Sequence, residues 1–173
     1  MKKITFIIGG CRSGKSSHAL KLSSNISKSN NFFFATCVPL DSEMEKRVTN
    51  HQKERGSNWA TIDAPLDLPA AILKNSENAD VMLIDCLTLW TSNLLMEYNN
   101  EKKIYESVEK LMDALSQVTC PVFIVSNEVG TGIVPENALA REFRDIAGFV
   151  NQRTAAYSDH VILMVAGIPV IVK

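Results

Sequence analysis

Two rhythms of apolar and polar positions alternate along the chain. Short apolar runs at residues 4–8, 32–37, 81–85 and 121–126 are bounded by polar or glycine-bearing turns. They are too short for helices and read as buried strands. Between them, apolar positions recur at helical spacing over 16–27, 42–55, 68–74, 87–98, 102–117 and 137–157. Ser42, with Glu45 three residues on, forms a capping box at the second of these segments. Pro65 and Pro69 bracket a stretch that reads as irregular. In the last helix Leu139, Phe143, Ile146, Ala147, Val150 and Thr154 share one face. Arg141, Arg144, Asp145, Gly148 and Gln152 share the other, at ~100° per residue. Residues 160–165, a turn at 166–169 and residues 170–172 read as a terminal hairpin. Strands alternating with helices predict an α/β fold: a mainly parallel central sheet, helices on both faces and a C-terminal antiparallel hairpin.

No repeat, low-complexity tract or linker interrupts this pattern, and 173 residues suit one domain spanning 1–173. Apolar residues make up 46% and charged residues 21%, with a net charge of −1. That balance gives no bulk charge for nucleic acid or for a membrane surface. The apolar runs are far too short to span a bilayer. The opening "MKKITFII" loosely imitates a leader, but Gly9, Gly10 and Arg12 interrupt it, so it reads as a first strand of a cytoplasmic protein. Cys11, Cys37, Cys86 and Cys120 are widely spaced and read as free thiols. His18, His51 and His160 lack metal-ligand spacing.

Gly9-x-x-x-x-Gly14-Lys15-Ser16 is a Walker A sequence, with a strand before it and a helix after it. It makes the predicted fold P-loop NTPase-like. Glycines let backbone N–H groups turn toward phosphates, and the helix N-terminus adds partial positive charge. Lys15 would reach the β- and γ-phosphates, while Ser16 would ligate Mg²⁺. Asp85 ends the apolar run 81–85 and is the expected second Mg²⁺ partner.

Two further stretches carry candidate chemistry. Arg47, His51 and Arg55 fall at i, i+4 and i+8 of the predicted 42–55 helix, with Lys53 nearby. Neighbouring cations favour neutral imidazole, which is a nucleophile. Spacing alone leaves His51 open as nucleophile, phosphate ligand or bystander. The "NEVGTGIVPEN" loop, 127–137, follows the fourth run, so Asn127 and Glu128 arrive where ligands of open α/β sheets bind.

The chain resembles the bifunctional adenosylcobinamide kinase/adenosylcobinamide-phosphate guanylyltransferase family of cobalamin synthesis. The resemblance rests on GGxRSGKS (9–16), "ATC" (35–37), "DSEMEKRVTNHQKER" (41–55), "IDCLTLWTSNLL" (84–95), "NEVGTGIVP" (127–135) and "REFRDIAGFVNQ" (141–152). It implies phosphorylation of adenosylcobinamide by ATP or GTP. GMP would then pass from GTP to adenosylcobinamide phosphate through a guanylylated histidine, His51, releasing pyrophosphate. It also implies nucleotide contacts by Gly9, Gly10, Cys11, Arg12, Ser13, Gly14, Lys15 and Ser16. Ala35, Thr36, Cys37, Gln52, Lys53, Glu54, Arg55, Asp63 and Asp85 complete that set. Asp63 stands where glutamate is expected and Cys11 where alanine is frequent. Family members are homotrimers. The alternatives are a P-loop small-molecule kinase without the guanylyl step, indifferent to His51, and a nucleotide-dependent switch that transfers nothing.

Overall fold

The computed structural model describes residues 3–27, 29–39, 49, 55, 58–98 and 100–173. The first strand, β1 (Ile4–Gly9), leads through a glycine-rich turn into α1 (Lys15–Ser24). Next come β2 (Asn31–Ala35), β3 (Trp59–Asp63) and α2 (Leu68–Asn75). A 3-10 turn, Ser76–Asn78, precedes β4 (Val81–Asp85), α3 (Leu87–Tyr98) and α4 (Glu101–Gln117). The chain ends with β5 (Val122–Asn127), α5 (Ala138–Tyr157) and the hairpin β6 (His160–Val165) and β7 (Ile168–Ile171).

Seven strands form one sheet in the order β3-β2-β4-β5-β1-β6-β7. Every neighbouring pair is parallel except β6 with β7. This is the mainly parallel sheet with an antiparallel end that the alternation of elements predicts. The hairpin turns through Ala166 and Gly167, with φ of 49° and 84°, the left-handed pair that matches strand twist.

Both faces are covered, because successive strand residues point to opposite sides. Ile4 and Phe6 of β1 join a large core with α2, α3, α4 and α5. Ile7 joins a second core with Phe33, Leu83, Phe123 and Ala19 of α1. Trp90 lies fully buried in the first core and donates its indole N–H to the Leu66 carbonyl at 2.8 Å. Asparagine caps open both long helices: Asn100 accepts from the Lys103 amide and Asn137 from the Ala140 amide.

Residues 59–63 form a strand that the apolar pattern does not announce. The strand lies at the sheet edge and buries only Trp59, so its sequence lacks a sustained apolar run. Leu139 belongs to the expected buried face of the last helix yet is 45% exposed, because α5 meets the core only from about Phe143 onward. The four cysteines are free, as expected; Cys11 is exposed, while Cys86 and Cys120 are buried. The predicted helix at 42–55 lies outside the described residues except for Thr49 and Arg55, which are both helical.

Trp90→Ala is expected to destabilise the fold by about 3–5 kcal/mol, the usual cost of deleting a buried indole. A denaturation midpoint shifted by less than a third of that would show that the first core does not depend on this side chain.

Candidate active site

The ligand-facing edge is the C-terminal end of the parallel strands. β1 ends at Gly9, directly opposite Asn127 of β5 and Met164 of β6. A Cβ at Gly9 would lie 2.6 Å from both the Met164 carbonyl oxygen and Ser13 Oγ. Glycine alone allows the chain to leave the sheet there. Positive φ follows at Arg12 (54°) and Gly14 (88°). Left-handed residues in such a turn direct backbone N–H groups into an anion-binding concavity, and Gly14 is also the N-cap of α1. The turn is braced from outside: the Gly167 amide donates to the Ser13 carbonyl at 3.0 Å. Lys15 Nζ reaches across the loop to the Gly10 carbonyl at 3.0 Å. Ser16, beside it in the first turn of α1, is half-buried. A phosphate chain seated here would meet Lys15, Ser16 and the helix N-terminus together.

Strand register gathers the acids on the other side of the crossover. Asp63, Ala35 and Asp85 pair in one row across β3, β2 and β4, and Asp85 continues opposite Val125. Asp85 is half-buried and Asp63 exposed at the outer edge. The peptide after Asp85 is cis. Thr36, fully buried, holds that corner: its hydroxyl accepts from the Cys86 amide and donates to the Cys86 carbonyl, each at 2.8 Å. Asn93 Nδ2 then ties the Thr36 carbonyl (2.8 Å) to that of Pro65 (2.9 Å).

The charge of Asp85 is felt around it. Burial pushes the Cys86 thiol up to about 12, and the neighbouring carboxylate adds to the rise. Cys37 is raised for the same two reasons. Both thiols therefore stay protonated and unreactive. Arg55 stacks 3.6 Å over the Phe33 ring and donates to Thr61 Oγ1 at 3.3 Å. Burial lowers its guanidinium, and the attraction of Asp85 opposes that fall. Of the basic stretch read from the sequence, Arg55 is thus at the Asp85 corner. Arg47, His51, Gln52, Lys53 and Glu54 lie outside the described residues.

β5 delivers Asn127 and Glu128 beside the glycine turn, as expected. The Glu128 amide donates to the Gly9 carbonyl at 3.1 Å. Its carboxylate is engaged by its own loop: the Gly130 amide at 2.7 Å, the Thr131 amide at 3.1 Å and the Thr131 hydroxyl at 2.7 Å. Burial raises the Glu128 carboxyl. The Thr131 hydroxyl, the two amides and the Arg144 charge outweigh that and hold it below its ordinary value. Sequence reasoning missed the buried Thr88, whose hydroxyl meets Ser126 Oγ at 3.1 Å and accepts from the Asn127 amide at 2.6 Å. It also missed Asn151, which donates to the Asn127 carbonyl at 3.0 Å. Both lie in the quoted stretches 84–95 and 141–152, but nothing in the spacing showed which backbone group each side chain meets.

The family model for cobinamide kinase / cobinamide phosphate guanyltransferase matches residues 5–172. The chain is 41% identical over 179 residues to the bifunctional adenosylcobalamin biosynthesis protein CobU of Salmonella typhimurium, covering 96% of this chain and 98% of that protein. It is 35% identical over 167 residues to the bifunctional adenosylcobalamin biosynthesis protein CobP of Pseudomonas aeruginosa, covering 96% and 95%. In fold it is similar to the KaiC-like protein PH0186 of Pyrococcus horikoshii, with a TM-score of 0.55, 17% identity and coverage of 93% and 70%. It is also similar to the flagellar accessory protein FlaH of Methanocaldococcus jannaschii, with a TM-score of 0.53, 12% identity and coverage of 99% and 78%.

Two outcomes are expected from this geometry. Thr36→Val keeps the shape but strands the Cys86 amide and carbonyl, and should cost about 1–3 kcal/mol in chemical denaturation. Glu128 has a lowered folded pKa, so its tie is complete above the ordinary value of 4.5 and is lost as pH falls through the lower folded value. The amide resonances of Gly130 and Thr131 should therefore titrate with a midpoint below 4.5; a midpoint at or above it would mean that the tie does not form in solution.

Proposed function

This chain belongs to the cobinamide kinase / cobinamide phosphate guanyltransferase family, and from that premise we propose that it performs both reactions on one P-loop. The observation that carries the reading is the extent of the family match. Residues 5–172 include the phosphate cradle, the His51 segment and the 127–152 loop and helix together.

In the first reaction the side-arm hydroxyl of adenosylcobinamide attacks the γ-phosphorus of ATP or GTP, and the nucleoside diphosphate leaves. Lys15 and the inward amides of the turn balance the charge on the β- and γ-phosphates. Ser16 and Asp85 offer a hydroxyl and a carboxylate, a hard oxygen donor set suited to Mg²⁺. Bound there with the triphosphate, Mg²⁺ would neutralise phosphate charge. The engaged oxygens and lowered pKa of Glu128 weigh against it as the proton acceptor of this step.

In the second reaction the neutral His51 imidazole attacks the α-phosphorus of GTP and pyrophosphate leaves. A phosphate oxygen of adenosylcobinamide phosphate then displaces the imidazole, giving adenosylcobinamide-GDP. Splitting one transfer into two lets the same cations serve both displacements. Arg55, drawn to Asp85, would support the nucleotide there. Gln52, Lys53, Glu54, Asp63 and the 35–37 segment complete the proposed nucleotide contacts. Among the described residues no helix is long and apolar enough to cross a membrane; we take the enzyme to act in the cytoplasm as a homotrimer.

GTP labelled in its α-phosphate, supplied with Mg²⁺, should leave acid-labile, alkali-stable label on the denatured chain, mapping to the His51 peptide. His51→Ala should abolish the label and spare the kinase reaction. Lys15→Ala should lower both activities by about 10²–10³-fold. Intact nucleotide binding with no label would reduce the reading to a kinase that lacks guanylyl transfer.

A further inference from the structure

Among the described residues, four buried polar side-chain atoms lack a hydrogen-bond partner: Ser13 Oγ, Asn31 Oδ1, Arg144 Nη1 and Asn151 Oδ1. Asn31 opens β2, at the edge of the sheet away from the cradle. The other three gather at the ligand-facing edge. Ser13 Oγ lies 2.6 Å from where a Cβ of Gly9 would stand. Asn151 donates to the carbonyl of Asn127, which pairs with Gly9 across β5 and β1. A buried polar atom without a partner costs stability, so its presence calls for a reason other than folding.

The course of α5 places Arg144. The helix starts from the ligand-facing edge and runs to the opposite one, where the Asp159 amide just beyond it donates to the Ile4 carbonyl. Arg144 precedes Asn151 by seven residues, about two helical turns, so the two share one stripe of α5. Asn151 is level with the end of β5, which puts Arg144 ~10 Å further out, beyond the strand ends. There its charge reaches the Glu128 carboxylate, and the Glu128 amide is itself bonded to Gly9.

The other arginines of the helix are engaged. Arg141 Nη1 donates to the Pro135 and Glu136 carbonyls, and Arg153 grips Glu109 through two bonds of 2.9 and 2.7 Å. The Glu128 oxygens are taken by Gly130 and Thr131, and Arg144 Nη1 is left without an acceptor. Arg144 is only half-buried as a residue, so its fork can turn toward an anion entering the edge. It also comes from the far side of the sheet. Ile146 and Val150 of α5 pack in the first core, whereas Ala19 of α1, the helix of Lys15, packs in the second.

We propose that Arg144 binds a phosphoryl group at this edge, from the sheet face opposite Lys15. Its ligand is a non-bridging phosphate oxygen, of either the terminal phosphate of the nucleoside triphosphate or the phosphate of the phosphorylated acceptor. A planar fork of donors suits such oxygens. The acceptor branch rests on the functional reading above, while the nucleotide branch needs only the cradle.

The test uses Arg144→Met, which keeps an unbranched stem and removes the charge. Affinities for GTP and GDP with Mg²⁺ are measured by calorimetry in a His51→Ala background, so that GTP is bound without guanylyl transfer. KM for adenosylcobinamide phosphate is measured in the guanylyl transfer with His51 intact, and sedimentation reports the mass of each protein. With the terminal phosphate as ligand, GTP affinity should fall about 10–100-fold and GDP affinity should hold. With the acceptor phosphate as ligand, its KM should rise by a similar factor while both nucleotide affinities hold. Equal weakening of GTP and GDP would mean that the substitution disturbs the cradle, and it overturns the proposal. So do three unchanged constants, or a loss accompanied by a smaller assembly, which would place Arg144 between copies of the chain. Wild-type protein that forms no adenosylcobinamide-GDP overturns the functional reading, and the comparison of GTP with GDP then decides this inference alone.

Discussion

The ligand-facing edge depends on one steric constraint: the backbone must leave β1 at Gly9 through a gap too small for a Cβ. Met164 of β6 closes that gap from the side and Ser13 closes it from the turn. Only because the chain bends there can Arg12 and Gly14 adopt left-handed conformations and α1 begin at Lys15. The phosphate cradle is therefore a property of three neighbouring strands as much as of the motif. Its outer brace, the Gly167 amide on the Ser13 carbonyl, comes from the last hairpin of the chain.

Apolar packing and hydrogen bonding divide the sheet between them. The interior rests on two apolar layers, one on each face, built by strands whose alternate residues point opposite ways. At the C-terminal edge, where the chain must open toward charged ligands, fixed polar contacts take over. Thr36, Thr88, Asn93 and Asn151 lock strand ends and crossovers through backbone groups. Such bonds hold geometry without closing the site under side chains. Burial, reinforced by the charge of Asp85 at the centre of this edge, keeps the adjacent thiols protonated, while Asp85 attracts Arg55.

Much of this was legible in advance, for stateable reasons. Runs such as 81–85 are apolar on both sides because central parallel strands are covered twice. The strand Trp59–Asp63 escaped notice because an edge strand of which only Trp59 is buried carries no such run. Asp85 was identifiable because it ends a buried strand. Thr88 and Asn151 were not, since a polar residue in a helix does not reveal which backbone group it meets. Leu139 fitted the helical period of the core face, yet α5 starts before it reaches the core.

The sequence by itself determined the local vocabulary: strand and helix segments, the Gly9–Ser16 cradle, the acid at the end of β4 and the family to which these belong. Those features are written in spacing over a few residues, where burial and chemistry leave a direct trace. Only the tertiary structure decided the strand order, the row that aligns Asp63 with Asp85 and the wedge of Met164 against Gly9. Each joins parts of the chain far apart in sequence, as when the Ile4 amide meets Asp159 across 155 residues. No short-range period encodes such a meeting, because it is fixed by how the crossovers pack onto the sheet.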